Sequence, residues 1–116
     1  MSTVNLLIIE DEMIIAHDMK LMLESVGYEV CGIAKSAEKA LTLLTEKNPD
    51  LVLIDINLGK GMEGISLAKQ VHEKYNLPFI FCTSYSDHST VNEAKQVKPN
   101  GYLLKPFTKD DLYVAI

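Results

Sequence analysis

Three apolar segments of this sequence each end in charged residues that can carry out chemistry. Glu10 and Asp11 follow the first segment, Asp55 follows a second, and Lys105 follows a third. Because these segments are continuously apolar, they predict strands of a parallel sheet that is covered on both faces. Ligands of such sheets bind in the crevice outside the carboxyl ends of the strands. The sequence therefore predicts one pocket in which several carboxylates and a lysine surround a metal ion and a reactive aspartate.

Carboxylates that share a crevice repel one another, and removing them from water increases the penalty. A divalent cation relieves this repulsion. Mg²⁺ is favoured here because it prefers oxygen ligands, keeps several waters and commonly takes one or two protein carboxylates together with a substrate phosphate. We predict that Asp11 and Asp55 bind the cation directly, that Glu10 contributes directly or through water, and that the backbone carbonyl of Asn57 is a further ligand.

The same pocket predicts phosphoryl transfer to Asp55. An aspartate carboxylate can attack a phosphoryl group and form an acyl phosphate, and such transfer depends mainly on positioning and charge neutralisation. Lys105 would supply a point charge beside the transferred oxygens. Thr83, at the end of another predicted strand, would donate its hydroxyl to one of them.

The elements that must position these groups alternate between strand and helix. We predict strands at about 4–9, 28–33, 51–54, 78–83 and 101–104, and helices at 13–25, 37–47, 64–75, 87–96 and from 109 onward. This alternation predicts an α/β fold, a doubly wound five-stranded parallel sheet with right-handed crossovers and helices on both faces. The flavodoxin-like strand order 2-1-3-4-5 is expected because the first and third strands must adjoin for their acidic ends to meet.

Local signals support these elements. Ser36 is the predicted N-cap of the second helix, and Asn48-Pro49 is predicted to end it. The predicted inward stripe of that helix is Ala37, Ala40, Leu41 and Leu44, and that of the third helix is Gly64, Leu67, Ala68, Val71 and Tyr75. Cys31 and Cys82 fall on strands that the predicted order separates, so no disulfide is expected.

Composition narrows the class of protein. The chain has 116 residues, enough for one domain with a substantial core, and 47% of them are hydrophobic. The net charge is −5, and all 11 basic residues are lysines, which argues against a nucleic-acid-binding surface. The sequence has neither a signal-peptide pattern nor an apolar run of membrane-spanning length. We therefore expect a cytoplasmic protein.

Together, these motifs resemble the receiver domain of two-component response regulators over the full length of the chain. The matching residues each stand at a strand end or in the last strand, and they are Glu10, Asp11, Asp55, Thr83, Ser84, Tyr102, Lys105 and Pro106. The resemblance implies Mg²⁺-dependent phosphorylation of Asp55 by a histidine kinase or a histidine phosphotransfer protein. It also implies a domain that assists its own phosphorylation and dephosphorylation without being a turnover enzyme.

The resemblance further implies a switch. Thr83 would move toward the phosphoryl group and Tyr102 would turn inward, which would alter the surface formed by the predicted helix 87–96, the strand 101–104 and the final helix. That final helix stops within an apolar stretch at Ile116, so we expect it to be truncated and an output module to lie beyond it. Phosphorylation-dependent homodimerisation is a further possibility.

Two features depart from the common pattern of the family. The loop after Asp55 is one residue longer than usual and contains three glycines. Tyr85, two residues after Thr83, places an aromatic ring at the rim of the pocket. We predict that Tyr85 slows attack of water on the acyl phosphate, with Ser84 and Pro106 as further modulating residues.

Three alternative functions come from other classes of protein. A flavodoxin-type cofactor carrier would need a phosphate-binding loop where the acidic Glu10-Asp11 pair stands. A phosphatase with an aspartate nucleophile would need a second acid where Asn57 stands, since an amide cannot protonate a leaving group. A binding module that is not phosphorylated would be expected to have lost Asp11, Asp55 or Lys105, yet all three are present.

Overall fold

Strands and helices alternate along the chain in a computed structural model that describes residues 4–55, 63–83 and 101–104. Only the backbone is described for Glu63, Thr83, Tyr102 and Leu104. The elements are β1 (Asn5–Ile9), α1 (Met13–Ser25), β2 (Glu29–Ala34), α2 (Ala37–Lys47), β3 (Leu51–Asp55), α3 (Glu63–Gln70) with a following π-helical turn (Val71–Tyr75), β4 (Phe79–Thr83) and β5 (Gly101–Leu104). The helices predicted at 87–96 and from 109 lie outside the described residues.

The strands form one parallel sheet in the order β2-β1-β3-β4-β5. This order confirms the flavodoxin-like prediction and places β1 and β3 side by side at the centre. Their register pairs Leu6 with Leu51 and Ile9 with Ile54. Because the two strands run in step, the residues that follow them emerge together at the carboxyl edge of the sheet.

Alternating side chains of the strands serve two separate cores, as the two-residue period of a strand requires. Leu7 and Ile9 of β1 belong to the core beneath α2 and α3, whereas Leu6 and Ile8 belong to the core beneath α1. Helices therefore cover both faces of the sheet, as predicted. This double coverage explains why residues 6–9 of β1 and residues 51–54 of β3 are apolar at consecutive rather than alternate positions.

The ends of α2 follow the predicted local chemistry. Ser36 is the N-cap, and its hydroxyl accepts a hydrogen bond of 3.1 Å from the N–H of Lys39. Asn48 ends the helix in the left-handed region at φ 48°, and Pro49 follows. Asparagine tolerates this conformation better than most residues other than glycine. Both ends of α2 were therefore predicted correctly from the sequence.

The chain is helical from Glu63 to Tyr75, which confirms the helix predicted at 64–75 to within one residue, but two details differ from the prediction. The helix predicted at 64–75 is α-helical only through Gln70, and it ends in the π-helical turn, where the N–H of Asn76 bonds to the carbonyl of Val71. The predicted inward stripes omitted Leu43 and Ile65, which are both buried. A packed helix buries a wider arc than a narrow i, i+3, i+4 stripe, and this accounts for the two omissions.

The edge strand β2 begins and ends one residue later than predicted and pairs irregularly with β1. Leu6 pairs with Val30 but Leu7 pairs with Gly32, so the register skips Cys31 as in a β-bulge. Cys31 and Cys82 are both thiols rather than a disulfide, as expected. Within the described residues, no helix combines the length and apolar character that a bilayer crossing demands.

Candidate functional site

The predicted acidic pocket forms where β1 and β3 end. Asp55 is the last residue of β3, one residue longer than the predicted strand, and Glu10 follows the last residue of β1. The N–H of Glu10 donates a 2.9 Å hydrogen bond to the carbonyl of Ala34, which continues the ladder between β1 and β2 beyond Ile9. The backbone carrying Glu10 is therefore held by the sheet rather than by a loose loop.

Three carboxylates converge at this edge. One oxygen from each of Glu10, Asp11 and Asp55 lies within 4.8 Å of the other two. Glu10 is 1% exposed and Asp55 is 6% exposed, whereas Asp11 is exposed to solvent. Such closely spaced acidic oxygens suit a hard divalent cation, because the cation neutralises charges that would otherwise repel one another. The observed donor set therefore fits the predicted Mg²⁺ site.

The start of α1 contributes to the same pocket. Glu12 is the N-cap of α1. Its main-chain N–H donates a 3.2 Å hydrogen bond to Oε2 of Glu10. The amino end of a helix also carries partial positive charge that favours nearby anions. The buried Glu10 carboxylate therefore has a defined partner in the protein.

The neighbouring strands place other predicted residues at the same edge. Asp55 pairs with Cys82 of β4, and Thr83 is the next residue and the last of β4. Thr83 in turn pairs with Leu104 at the end of β5. The backbone of Thr83 therefore lies at the same edge of the sheet as Asp55.

The remaining predicted residues are only partly covered. Tyr102 lies in β5, where its backbone pairs with Phe81. The other predicted ligand, charge and modulating positions lie outside the described residues, namely Asn57, Ser84, Tyr85, Lys105 and Pro106. Their roles stay predictions.

Sequence reasoning missed the contribution of the Glu12 amide. Every residue except proline carries a main-chain N–H, so residue type alone does not reveal this donor. One signal was present: Ile15 stands at the third helical position, where a capping box would have an acid to bind the N-cap amide. With an apolar residue there, that amide must find its partner elsewhere.

Two large apolar side chains of α1 are exposed to solvent. Ile14 is 82% exposed and Leu21 is 66% exposed. They are seven residues apart, which is close to two helical turns, so they lie on one side of the helix. We call this pair the α1 apolar surface. It begins three residues after the exposed carboxylate of Asp11.

Comparison with known proteins gives a consistent result. Residues 6–116 match the model of a protein family described as "Response regulator receiver domain". The transcriptional regulatory protein PdtaR of Mycobacterium tuberculosis is 36% identical over 95% of this chain and 53% of its own length. The phyllosphere-induced regulator PhyR of Methylorubrum extorquens is 34% identical over 96% of this chain and 41% of its own length. The chain thus spans about half the length of the curated relatives that it matches.

The fold has a similar counterpart among solved structures. The signal receiver domain of a modulated diguanylate cyclase from Desulfovibrio desulfuricans G20 superposes with a TM-score of 0.90. It is 37% identical in sequence, and the alignment covers 98% of this chain and 90% of that one. Sequence and structure therefore point to the same family.

Proposed function

The chain belongs to the response regulator receiver domain family, and from this membership we propose that Asp55 is the phosphoacceptor of a two-component signalling switch. The family is a phosphoacceptor signalling domain rather than a classical enzyme. The observation that carries the proposal is the position of Asp55, 6% exposed at the carboxyl edge of the parallel sheet and clustered with Glu10 and Asp11.

Mg²⁺ is the proposed cofactor, with Glu10, Asp11 and Asp55 as the carboxylates that hold it and the Asn57 carbonyl as a further ligand. When bound, the ion would neutralise the pocket and polarise the oxygens of the incoming phosphoryl group. The exposure of Asp11 supports this role, since one ligand must be reachable from solvent for the ion to enter. The burial of Glu10 and Asp55 supports a site of low dielectric, in which charge neutralisation matters most.

The proposed chemical step is displacement at phosphorus. A carboxylate oxygen of Asp55 forms the new P–O bond while the bond from phosphorus to the donor, a histidine nitrogen or the oxygen of a small acyl phosphate, breaks. The electron pair leaves with the donor. Lys105 and Thr83 would neutralise and hydrogen-bond the transferred oxygens, so that the domain assists its own phosphorylation.

A histidine kinase or a histidine phosphotransfer protein is the proposed donor. The α1 apolar surface supports a docking role on this helix, because apolar side chains exposed beside a reactive site favour a protein partner. Its position next to the pocket would bring a phosphohistidine within reach of Asp55. Specific docking there would account for exposed Ile14 and Leu21 on an otherwise polar helix face.

The signal would pass to a further part of a longer protein. The curated relatives are about twice the length of the matched segment, which supports an output module joined to this domain. Phosphorylation adds close to two negative charges at neutral pH. These would bias a two-state equilibrium through Thr83 and Tyr102 and so change the surface around β5.

Labelling with acetyl phosphate tests the proposal directly. In the presence of Mg²⁺, the wild-type chain should gain the mass of one phosphoryl group, and hydroxylamine should remove it as expected for an acyl phosphate. Asp55→Asn should gain none, whereas Asp18→Asn, an exposed aspartate on α1, should label as the wild type does. Labelling of a folded Asp55→Asn variant at the wild-type level would refute the assignment.

A further inference from the structure

The buried carboxylate of Glu10 is oriented by a main-chain group. Its Oε2 accepts the 3.2 Å hydrogen bond from the N–H of Glu12, and its side chain is 1% exposed. A hydrogen bond to an ionised carboxylate is stronger than one between neutral groups. At this depth, solvent competes with it only weakly.

The amide of Glu12 is available because of its place at the start of α1. An N-cap N–H lies outside the i to i−4 ladder of the helix and needs another acceptor. The carbonyl of Glu12 accepts the N–H of Ala16 at 3.0 Å, which fixes the residue to α1. Its carboxylate caps none of the first-turn amides among the described residues. Glu12 therefore links the position of α1 to the orientation of the Glu10 carboxylate.

We infer that the main-chain amide of Glu12 is a positioning group for the metal site, acting through Glu10. This inference rests on the proposed cation site at Glu10, Asp11 and Asp55. Loss of this hydrogen bond would leave the Glu10 carboxylate less constrained, and repulsion from the two aspartates would favour rotamers that point away from them. The hydrogen bond holds the carboxylate among its like-charged neighbours before a cation arrives. Partners that orient metal ligands in this way typically contribute 10–100-fold to metal affinity.

A proline scan of the helix start separates this role from general helix stability. Glu12→Pro removes the N–H, and the backbone of residue 12, at φ −89° and ψ 105°, lies close to the range that proline adopts. Met13→Pro is the matched control. Proline is favoured at the first helical position, and the extended backbone of Glu12 is compatible with a following proline.

Mg²⁺ affinity is measured by titration followed by amide NMR, and urea unfolding of the metal-free protein is measured alongside it. We expect Glu12→Pro to weaken Mg²⁺ binding by about tenfold or more, with Met13→Pro close to the wild type. A purely structural role for the amide would lower the stability of the metal-free protein and leave the Mg²⁺ affinity unchanged.

An ester variant keeps the test decisive if Glu12→Pro does not fold or if its ring shifts Asp11, the proposed ligand that precedes it. Replacing only the amide nitrogen of residue 12 by oxygen removes the donor without a ring. Cys31 allows this by native ligation of a synthetic segment 1–30 to the remaining chain, which begins with cysteine. Weaker Mg²⁺ binding by the ester variant supports the inference. Wild-type affinity in a folded ester variant overturns it, whereas a wild-type chain that binds no Mg²⁺ overturns the proposed function itself.

Discussion

Asn5 and Asp50 are joined by two hydrogen bonds at the end of the sheet opposite the carboxylates. The N–H of Asn5 donates to Oδ2 of Asp50 at 2.9 Å, and the N–H of Asp50 donates to the carbonyl of Asn5 at 2.8 Å. This pair fixes the start of β3 against the start of β1. Since both strands run in step to Ile9 and Ile54, the pair also aligns the residues that carry Glu10 and Asp55 at the far end.

Removing the side-chain half of this pair should destabilise the domain modestly. We expect Asp50→Ala to lower the free energy of unfolding by about 1 kcal/mol, the usual range for one hydrogen bond that water can partly replace. Asp50→Asn keeps a neutral acceptor oxygen and should lose less. Urea unfolding without Mg²⁺ measures both, and identical unfolding of Asp50→Ala and the wild type would contradict the assigned contact.

Replacing two strand glycines, Gly32 and Gly101, by alanine should have different effects on the free energy of unfolding. A Cβ at Gly32 would lie 3.2 Å from Cδ1 of Leu43, which is packed in the core beneath α2. Gly32→Ala should therefore cost about 1 kcal/mol through overpacking. At Gly101 the nearest atom would be Cγ1 of Ile80 at 3.7 Å, an ordinary contact. Gly101→Ala should be neutral or stabilise by about 0.5 kcal/mol, because alanine restricts the unfolded chain.

Thermal unfolding of the two glycine variants gives the comparison. The same loss of stability in both would show that contact with Leu43 is not the cause. A stable Gly32→Ala variant would mean that Leu43 can shift without cost.

Mg²⁺ should stabilise the folded domain, and Asp11 should be required for the full effect. A ligand at about 100 times its dissociation constant adds about 2.7 kcal/mol to the free energy of unfolding. Asp11→Asn should lose much of this gain. Its metal-free stability should equal or slightly exceed that of the wild type, because one of three mutually repelling charges is gone.

Urea unfolding with and without Mg²⁺ checks this expectation, with Asp18→Asn as the control for an exposed aspartate elsewhere. Equal stabilisation of wild type and Asp11→Asn by Mg²⁺ would remove Asp11 from the ligand set.

Cys31 should make the free energy of unfolding decrease as the pH becomes alkaline. Burial raises the pKa of its thiol, while a backbone hydrogen bond and the charge of Lys47 act in the opposite direction. The folded state then retains a proton that the unfolded chain releases, so the stabilisation is complete below the unfolded pKa and is lost as pH rises through the folded pKa. Between about pH 7 and about pH 10, the wild type should lose more stability than Cys31→Ala. Urea unfolding in reductant tests this, and parallel pH profiles would contradict it.

The α1 apolar surface should affect transfer from a protein donor but not from a small molecule. Ile14→Ser and Leu21→Ser alter exposed side chains and should change stability little. With a histidine kinase or phosphotransfer protein that phosphorylates the wild type, we expect each to slow transfer to Asp55 several-fold. Labelling by acetyl phosphate should be unchanged.

Thr42→Ala serves as the control for the docking experiment, because Thr42 is exposed on α2 on the other face of the sheet. A kinase that transfers equally to Ile14→Ser, Leu21→Ser and the wild type docks on another surface.

Residue type and order were sufficient to predict the architecture. Continuous apolar strands are typical only of a sheet buried on both faces, so β1 and β3 indicated a parallel α/β fold. The convergence of Asp11 and Asp55 then required strands 1 and 3 to adjoin. Local signals such as Ser36 and Asn48 act within a few residues, which is why the ends of α2 were predicted accurately.

What the tertiary structure alone decided is the environment of each acid. The sequence presents Glu10 and Asp11 as adjacent carboxylates without indicating their burial, yet Glu10 is buried and Asp11 is exposed to solvent. The backbone of Glu10 is held in the sheet by its hydrogen bond to Ala34, a residue 24 positions away. The anchoring of Glu10 by Glu12 depends likewise on a backbone donor that residue type does not encode. Strand pairings and main-chain hydrogen bonds depend on how the whole chain packs, so they could not be predicted residue by residue. The chemistry of the side chains, in contrast, follows directly from the amino-acid sequence.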